Sequence, residues 1–230
     1  SHRWMYGYGL TQGSATAADS YVLLFGATLL TISPTAVGLL DGIGTIGFTL
    51  AALSIAFLVL LTPMVQGLFT TSLLAMGLTF IALSVIESSI SALVLALLFG
   101  SFLAPSVVLA PVLACQDLTS SKRNDALSRL NRFSSLGGAV GIAATVLWLL
   151  GANLLGPADV TLRVLFVVLG VVAILAALSS YHCLRYSREK QPGSSQPFIY
   201  EGPMSAGQRV ITFKSILPGH VHRPLFTDQL

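Results

Sequence analysis

The chain alternates long apolar runs with short polar breaks, and the spacing of those runs predicts its elements. A helix that crosses a bilayer needs about 20 mostly apolar residues. Runs of this kind cover residues 4–30, 35–61, 68–86, 91–115, 133–151 and 160–180. The first is the least apolar, with Gln12 and Asp19 inside it. The second opens at Ser33-Pro34-Thr35, a favourable helix start, and closes at Thr62-Pro63. The fourth contains Pro105 and Pro111, which a membrane helix tolerates better than a soluble one. Short links fall near Ser33, Pro63, Ser88 and Pro157, whereas residues 117–132 form a longer polar link. Strands fit poorly, because the runs are too long and do not alternate apolar with polar. The pattern predicts an all-α membrane protein with six transmembrane helices over residues 1–184. Residues 185–230, rich in Pro, Gly, Ser and charge, are expected to form a cytoplasmic loop or tail. Within that tail, residues 207–217 would form either a short amphipathic surface helix, with Val210, Phe213 and Leu217 on one face, or an irregular linker.

Composition agrees with a lipid environment. Of 230 residues, 54% are hydrophobic and 9% charged, and the mean hydropathy is +0.82. Soluble domains carry about 25% charged residues, so this chain could not cover an aqueous surface. The net charge of +3 matters by position, not as a nucleic-acid footprint. With six spans both ends share one side, and of the 12 Lys and Arg residues only Arg163 falls on the other. That bias puts both termini and the 117–132 link in the cytoplasm, in a multi-pass plasma-membrane protein. The uncharged 62–67 link is an exception on that side. The two cysteines, Cys115 and Cys183, have no metal spacing and read as free thiols. No cleavable signal peptide is visible, and a first residue other than Met points to a truncated start.

Few residues could carry chemistry. Tyr8, Gln12, Thr16 and Asp19 recur at helical spacing and would form one polar stripe on the first span. A mid-helix carboxylate costs roughly 2.5–3.5 kcal/mol on insertion scales, so Asp19 should face a cavity or a partner. It reads either as a proton carrier or as a structural carboxylate. Asp41, near the start of the second span, could line a cavity mouth or simply favour the positive end of its helix. Asp117 could pair with Arg123 or Arg129 as a gate, or form an ordinary surface ion pair. Gly38, Gly42, Gly44 and Gly47, and Gly137, Gly138 and Gly141, would let helices approach closely. His182 reads as an interface residue. No nucleophile–base pair, metal cluster or phosphate-cradling loop stands out, so neither an enzyme nor a cofactor is expected. Gly42-Ile43-Gly44 lies in an apolar helix, which argues against a nucleotide site.

The layout resembles the amino-terminal half of a major facilitator superfamily transporter. The residues 33–40, Ser-Pro-Thr-Ala-Val-Gly-Leu-Leu, look like the start of that family's second helix. The fourth span, with Gly100, Pro105 and Pro111, exits into an acid-plus-basic loop that leads to Ser134-Ser135-Leu136-Gly137-Gly138-Ala139-Val140-Gly141. This is similar to the family's connection between helices four and five. Residues 185–230 resemble its central loop, with Arg223-Pro224-Leu225-Phe226 leading toward a seventh helix. The 62–67 link lacks the family's charged signature, the fourth span lacks its embedded Arg, and the fifth lacks its Gly-Pro pair. The resemblance implies two three-helix repeats related by a pseudo-two-fold axis, with spans one and four on a central cavity. It implies alternating-access transport of a small solute, with Asp19 the natural proton-coupling group and the glycine seams as rocking surfaces. The partners implied are the bilayer, the solute, and a second six-helix half supplied by missing sequence or a second subunit. The alternative is a six-helix accessory or assembly protein that does not transport.

Overall fold

The computed structural model describes residues 3–28, 34–61, 65–116, 118, 120–155 and 157–189. These form six helices: α1 (Trp4–Thr28), α2 (Pro34–Leu61), α3 (Val65–Ser84), α4 (Ser89–Cys115), α5 (Ser120–Leu155) and α6 (Ala158–Glu189). The possible surface helix at 207–217 and the rest of the predicted tail lie outside the described residues. Proline suits the first turn of α2, because the N–H it lacks would have no intrahelical partner there. Ser88 caps α4, its side chain accepting a hydrogen bond from the Ser91 N–H at 3.3 Å. Pro105 and Pro111 lie inside α4, which continues through both. Many Ser and Thr hydroxyls donate back to a carbonyl one turn earlier, as Thr11 does to Gly7 at 2.9 Å and Thr79 to Ala75 at 2.8 Å. That local bond removes the cost of a hydroxyl in an apolar bundle.

Five helices, α2 to α6, are long and apolar enough to cross a bilayer. The exception, α1, has the length at 25 residues but carries the polar stripe. Two ends differ from the sequence-based expectation. Residues 120–132, expected as part of a polar link, are the first turns of α5. Ala126 and Leu130 are buried there, so this segment has an apolar edge beneath its charges. Likewise α6 runs on to Glu189, with Leu184 buried, beyond the span end expected at residue 180. At about 1.5 Å per residue, the 36 residues of α5 measure about 54 Å, well beyond a hydrocarbon core of about 30 Å.

The strongest pairings are α2 with α4, α1 with α5, and α3 with α6, followed by α1 with α6 and α3 with α4. The core runs along α1, α3, α4 and α6. Phe69, Leu73, Met76 and Phe80 of α3 are fully buried, together with Leu109 of α4 and Phe166 of α6. Aromatic contacts tie Trp4 to Phe69 (centroids 5.5 Å apart) and Phe80 to Phe99 (5.4 Å). Where helices approach closest, glycines meet. Gly77 abuts Gly170 and Ile174, and Gly170 in turn abuts Gly77 and Ile81, so α3 and α6 run antiparallel. Gly9 lies against Phe133 and Gly137, and Gly13 against Gly137 and Gly141, so α1 and α5 run parallel. Gly44 and Gly100 form the corresponding contact between α2 and α4. Small residues at such seams allow the backbone contact that drives helix association in lipid.

Arg163 has a structural use. It lies in the second turn of α6 and donates to the Ser84 carbonyl at 2.8 Å and the Ile86 carbonyl at 3.3 Å. These carbonyls belong to the last residue of α3 and the turn after it, where a positive charge also suits the helix dipole.

Candidate functional site

The polar stripe of α1 reaches three different helices. Tyr8 is buried, hydrogen-bonds Ser134 of α5, and packs its ring near Trp4 and Phe69, with centroids 6.3 and 6.0 Å away. One turn on, Gln12 donates from Nε2 to the Ser106 hydroxyl of α4 at 3.3 Å. Ser106 is fully buried and donates onward to the Leu103 carbonyl at 2.7 Å. Thr16 is half-buried, donates to the Gln12 carbonyl at 2.9 Å, and faces Gly138 of α5. Asp19 is exposed, as is Asp41 of α2. The stripe therefore begins in closed packing at Tyr8 and ends at an exposed carboxylate, Asp19.

These two acids lie at the end of the bundle away from the basic turns of α5. Gly13 is level with Gly137 and Gly141, and Asp19 lies six residues, about 9 Å, farther along α1. Donors along the stripe can orient a polar solute.

The remaining candidates separate. Asp117 lies outside the described residues. Arg123 donates from Nε to the Leu118 carbonyl at 3.3 Å, fixing the start of α5. Arg129 is exposed. Gly137 and Gly141 are in the seam with α1, whereas Gly138 is to one side of it, where an added Cβ would be an ordinary 3.6 Å from Thr16 Oγ1. Of the four α2 glycines, Gly44 and Gly47 meet α4, while Gly38 and Gly42 face open space. Among the described residues no group of His, Cys, Asp and Glu could hold a metal, and neither cysteine forms a disulfide. A shallow, open groove runs along the first half of α5, lined by residues of that helix and not by Tyr8, Gln12 or Asp19.

Sequence reasoning missed the partners Ser106 and Ser134. Each was one of many serines, and nothing local marked them as facing α1. The adjacent Pro105 was the only hint, since a proline in a membrane helix often has polar groups close by.

No family model matches the chain, and neither a curated protein nor a solved structure matches it.

Proposed function

We propose that this chain is a six-helix half of a secondary transporter of the major facilitator type, moving a small solute by alternating access with proton coupling. The observation that carries the reading is the polar line of α1, from Tyr8 through Gln12 and Thr16 to Asp19. An ionisable group at membrane depth is costly and marks an ion or substrate path more often than a packing role. The helix pairings support the half-bundle. Exchanging α1–α3 for α4–α6 turns the α1·α5 pair into α4·α2, turns α1·α6 into α4·α3, and returns α3·α6 to itself. The reciprocal contacts of Gly77 with Ile174 and Gly170 with Ile81 follow the same exchange. Internal repeats of this kind recur in transporter folds, with the binding site between halves.

In this reading α1 is the sixth crossing, both ends are cytoplasmic in the plasma membrane, and a second six-helix bundle completes the cavity. Asp19 carries the proton, and Tyr8 and Gln12 contact the solute. A non-transporting accessory role is the second reading. The burial of Tyr8 and its closed packing favour it, because a solute-binding side chain needs an open face. The discriminating experiment is proton-driven uptake by the chain together with its downstream sequence or partner. Concentrative uptake lost in Asp19→Asn at normal abundance supports coupling, whereas normal uptake by that variant removes Asp19 from the mechanism.

A further inference from the structure

The cytoplasmic turns of α5, on the orientation proposed above, carry a second feature that the transport reading does not use. Lys122, Arg129 and Arg132 are exposed. Among the described residues none of them has an ion-pair or hydrogen-bond partner. They stand in register with the apolar surface farther along the helix. Lys122, Arg129, Leu136 and Leu150 are separated by multiples of seven, and Val140 and Leu147 fall in the same row. Leu136 is 61% exposed, Val140 59%, Leu147 69% and Leu150 72%. One face of a single unbroken helix thus passes from bare aliphatic side chains to bare cations. From Arg132 to Leu150 the rise is about 27 Å, close to the thickness of a hydrocarbon core.

A shallow, open groove on this helix lies where that change occurs. Asn124, Ser128, Asn131 and Ser135 line it with amide and hydroxyl groups, Arg132 borders it with a guanidinium, and Leu136 closes its apolar end. We propose that this groove holds the headgroup of an anionic phospholipid. The phosphate would be on Arg132, with Arg129 and Lys122 adding field. Asn131 and Ser128 would hydrogen-bond the headgroup, and the acyl chains would follow Leu136, Val140 and Leu147. The charge is complementary, the polar groups sit at headgroup level, and the apolar row continues into the acyl region. The occupant is a lipid because one continuous face passes from cations to bare aliphatic side chains over the thickness of a hydrocarbon core. This site rests on the membrane placement of α5 and is independent of whether the chain transports.

The test uses the full chain reconstituted in phosphatidylcholine vesicles with trace spin-labelled phosphatidylglycerol or, separately, spin-labelled phosphatidylcholine. Electron paramagnetic resonance reads the motionally restricted fraction of each. The wild-type chain should prefer phosphatidylglycerol by about fivefold or more, as one well-placed cation contributes. Lys122→Gln/Arg129→Gln/Arg132→Gln should bring the ratio close to one. Arg3→Gln/Arg185→Gln, which removes charge elsewhere on the same side, should leave most of it. Ser128→Leu/Asn131→Leu fills the groove without changing charge and should also lose the preference. Circular dichroism checks that each variant keeps its helices, and all of these positions are exposed. The proposal is overturned if the wild-type ratio is near one, if the α5 triple variant keeps it, or if filling the groove leaves it unchanged.

Discussion

Substituting alanine at Gly141 tests whether the α1–α5 seam is as tight as its backbone contacts indicate. An ideal Cβ at Gly141 would be 2.6 Å from the Gly13 carbonyl carbon, and one at Gly137 would be 2.6 Å from that of Gly9. Both obstacles are backbone, so no flexible side chain can swing aside. Restoring ordinary contact would move the helices apart by about 1 Å, and overpacking of this kind costs about 1–3 kcal/mol. Helix propensity works in the opposite direction, since Ala is better than Gly by about 1 kcal/mol in a helix interior. Gly42 on α2 supplies the control, because a Cβ there would meet nothing within 4 Å. Gly42→Ala should gain the propensity term alone. Gly141→Ala should gain the same term and lose the contact, so the two variants should differ by about 1–3 kcal/mol. Unfolding in mixed dodecylmaltoside–dodecylsulfate micelles, followed by circular dichroism, measures that difference directly. Equal stability of the two variants would refute the tight seam and with it the helix pairing on which the half-bundle reading depends.

Four further outcomes follow, those on uptake from the transport reading proposed above. Arg163→Met should destabilise the bundle by about 2 kcal/mol or more, because two carbonyls lose a charged donor; the same micelle titration checks it. Gln12→Ala and Ser106→Ala should change solute affinity to a similar degree and combine non-additively, since they share one hydrogen bond; a double-mutant cycle on uptake KM measures this. Asp19→Asn should abolish concentrative uptake while downhill exchange survives, a split that parallel uptake and efflux assays resolve. Single cysteines at Ser88 and Pro157 should react with an impermeant thiol reagent from outside intact cells, and one at Ser121 should not; labelling at Ser121 would reverse the orientation.

Sequence reading found the helices because each buries or exposes a long apolar run, and long runs survive averaging. It missed the start of α5 for the same reason. Residues 120–132 hold Lys122, Arg123, Asp125, Arg129 and Arg132, and averaged polarity hid the period that buries Ala126 and Leu130. The stripe from Tyr8 to Asp19 was legible as spacing within one helix. What it touches was not, since Ser106 and Ser134 come from helices whose neighbours only the tertiary packing decides. The seam shows the same division. Gly137 and Gly141 are visible four residues apart, but their partners Gly9 and Gly13 could be matched to them only once α1 and α5 were known to lie together. Arg163 looked anomalous under a rule about charge and side, and its reason is local: two carbonyls at the end of α3.

The pairing of α1 with α5 also sets a timetable. Of the helices adjacent in sequence, only α3 and α4 pack extensively. When α1 leaves the ribosome, the glycines that will receive it do not yet exist. Gly137 follows Gly13 by about 120 residues, which at about 5–20 residues per second is roughly 6–25 s of synthesis. For most of that interval Gln12 lacks Ser106, which follows it by 94 residues, and for nearly all of it Tyr8 lacks Ser134. Nascent α1 therefore spends that interval without its seam on α5. A ribosome stalled between α4 and α5 would leave it in that condition permanently, so a pause in that stretch of the message would be more damaging than one after α5.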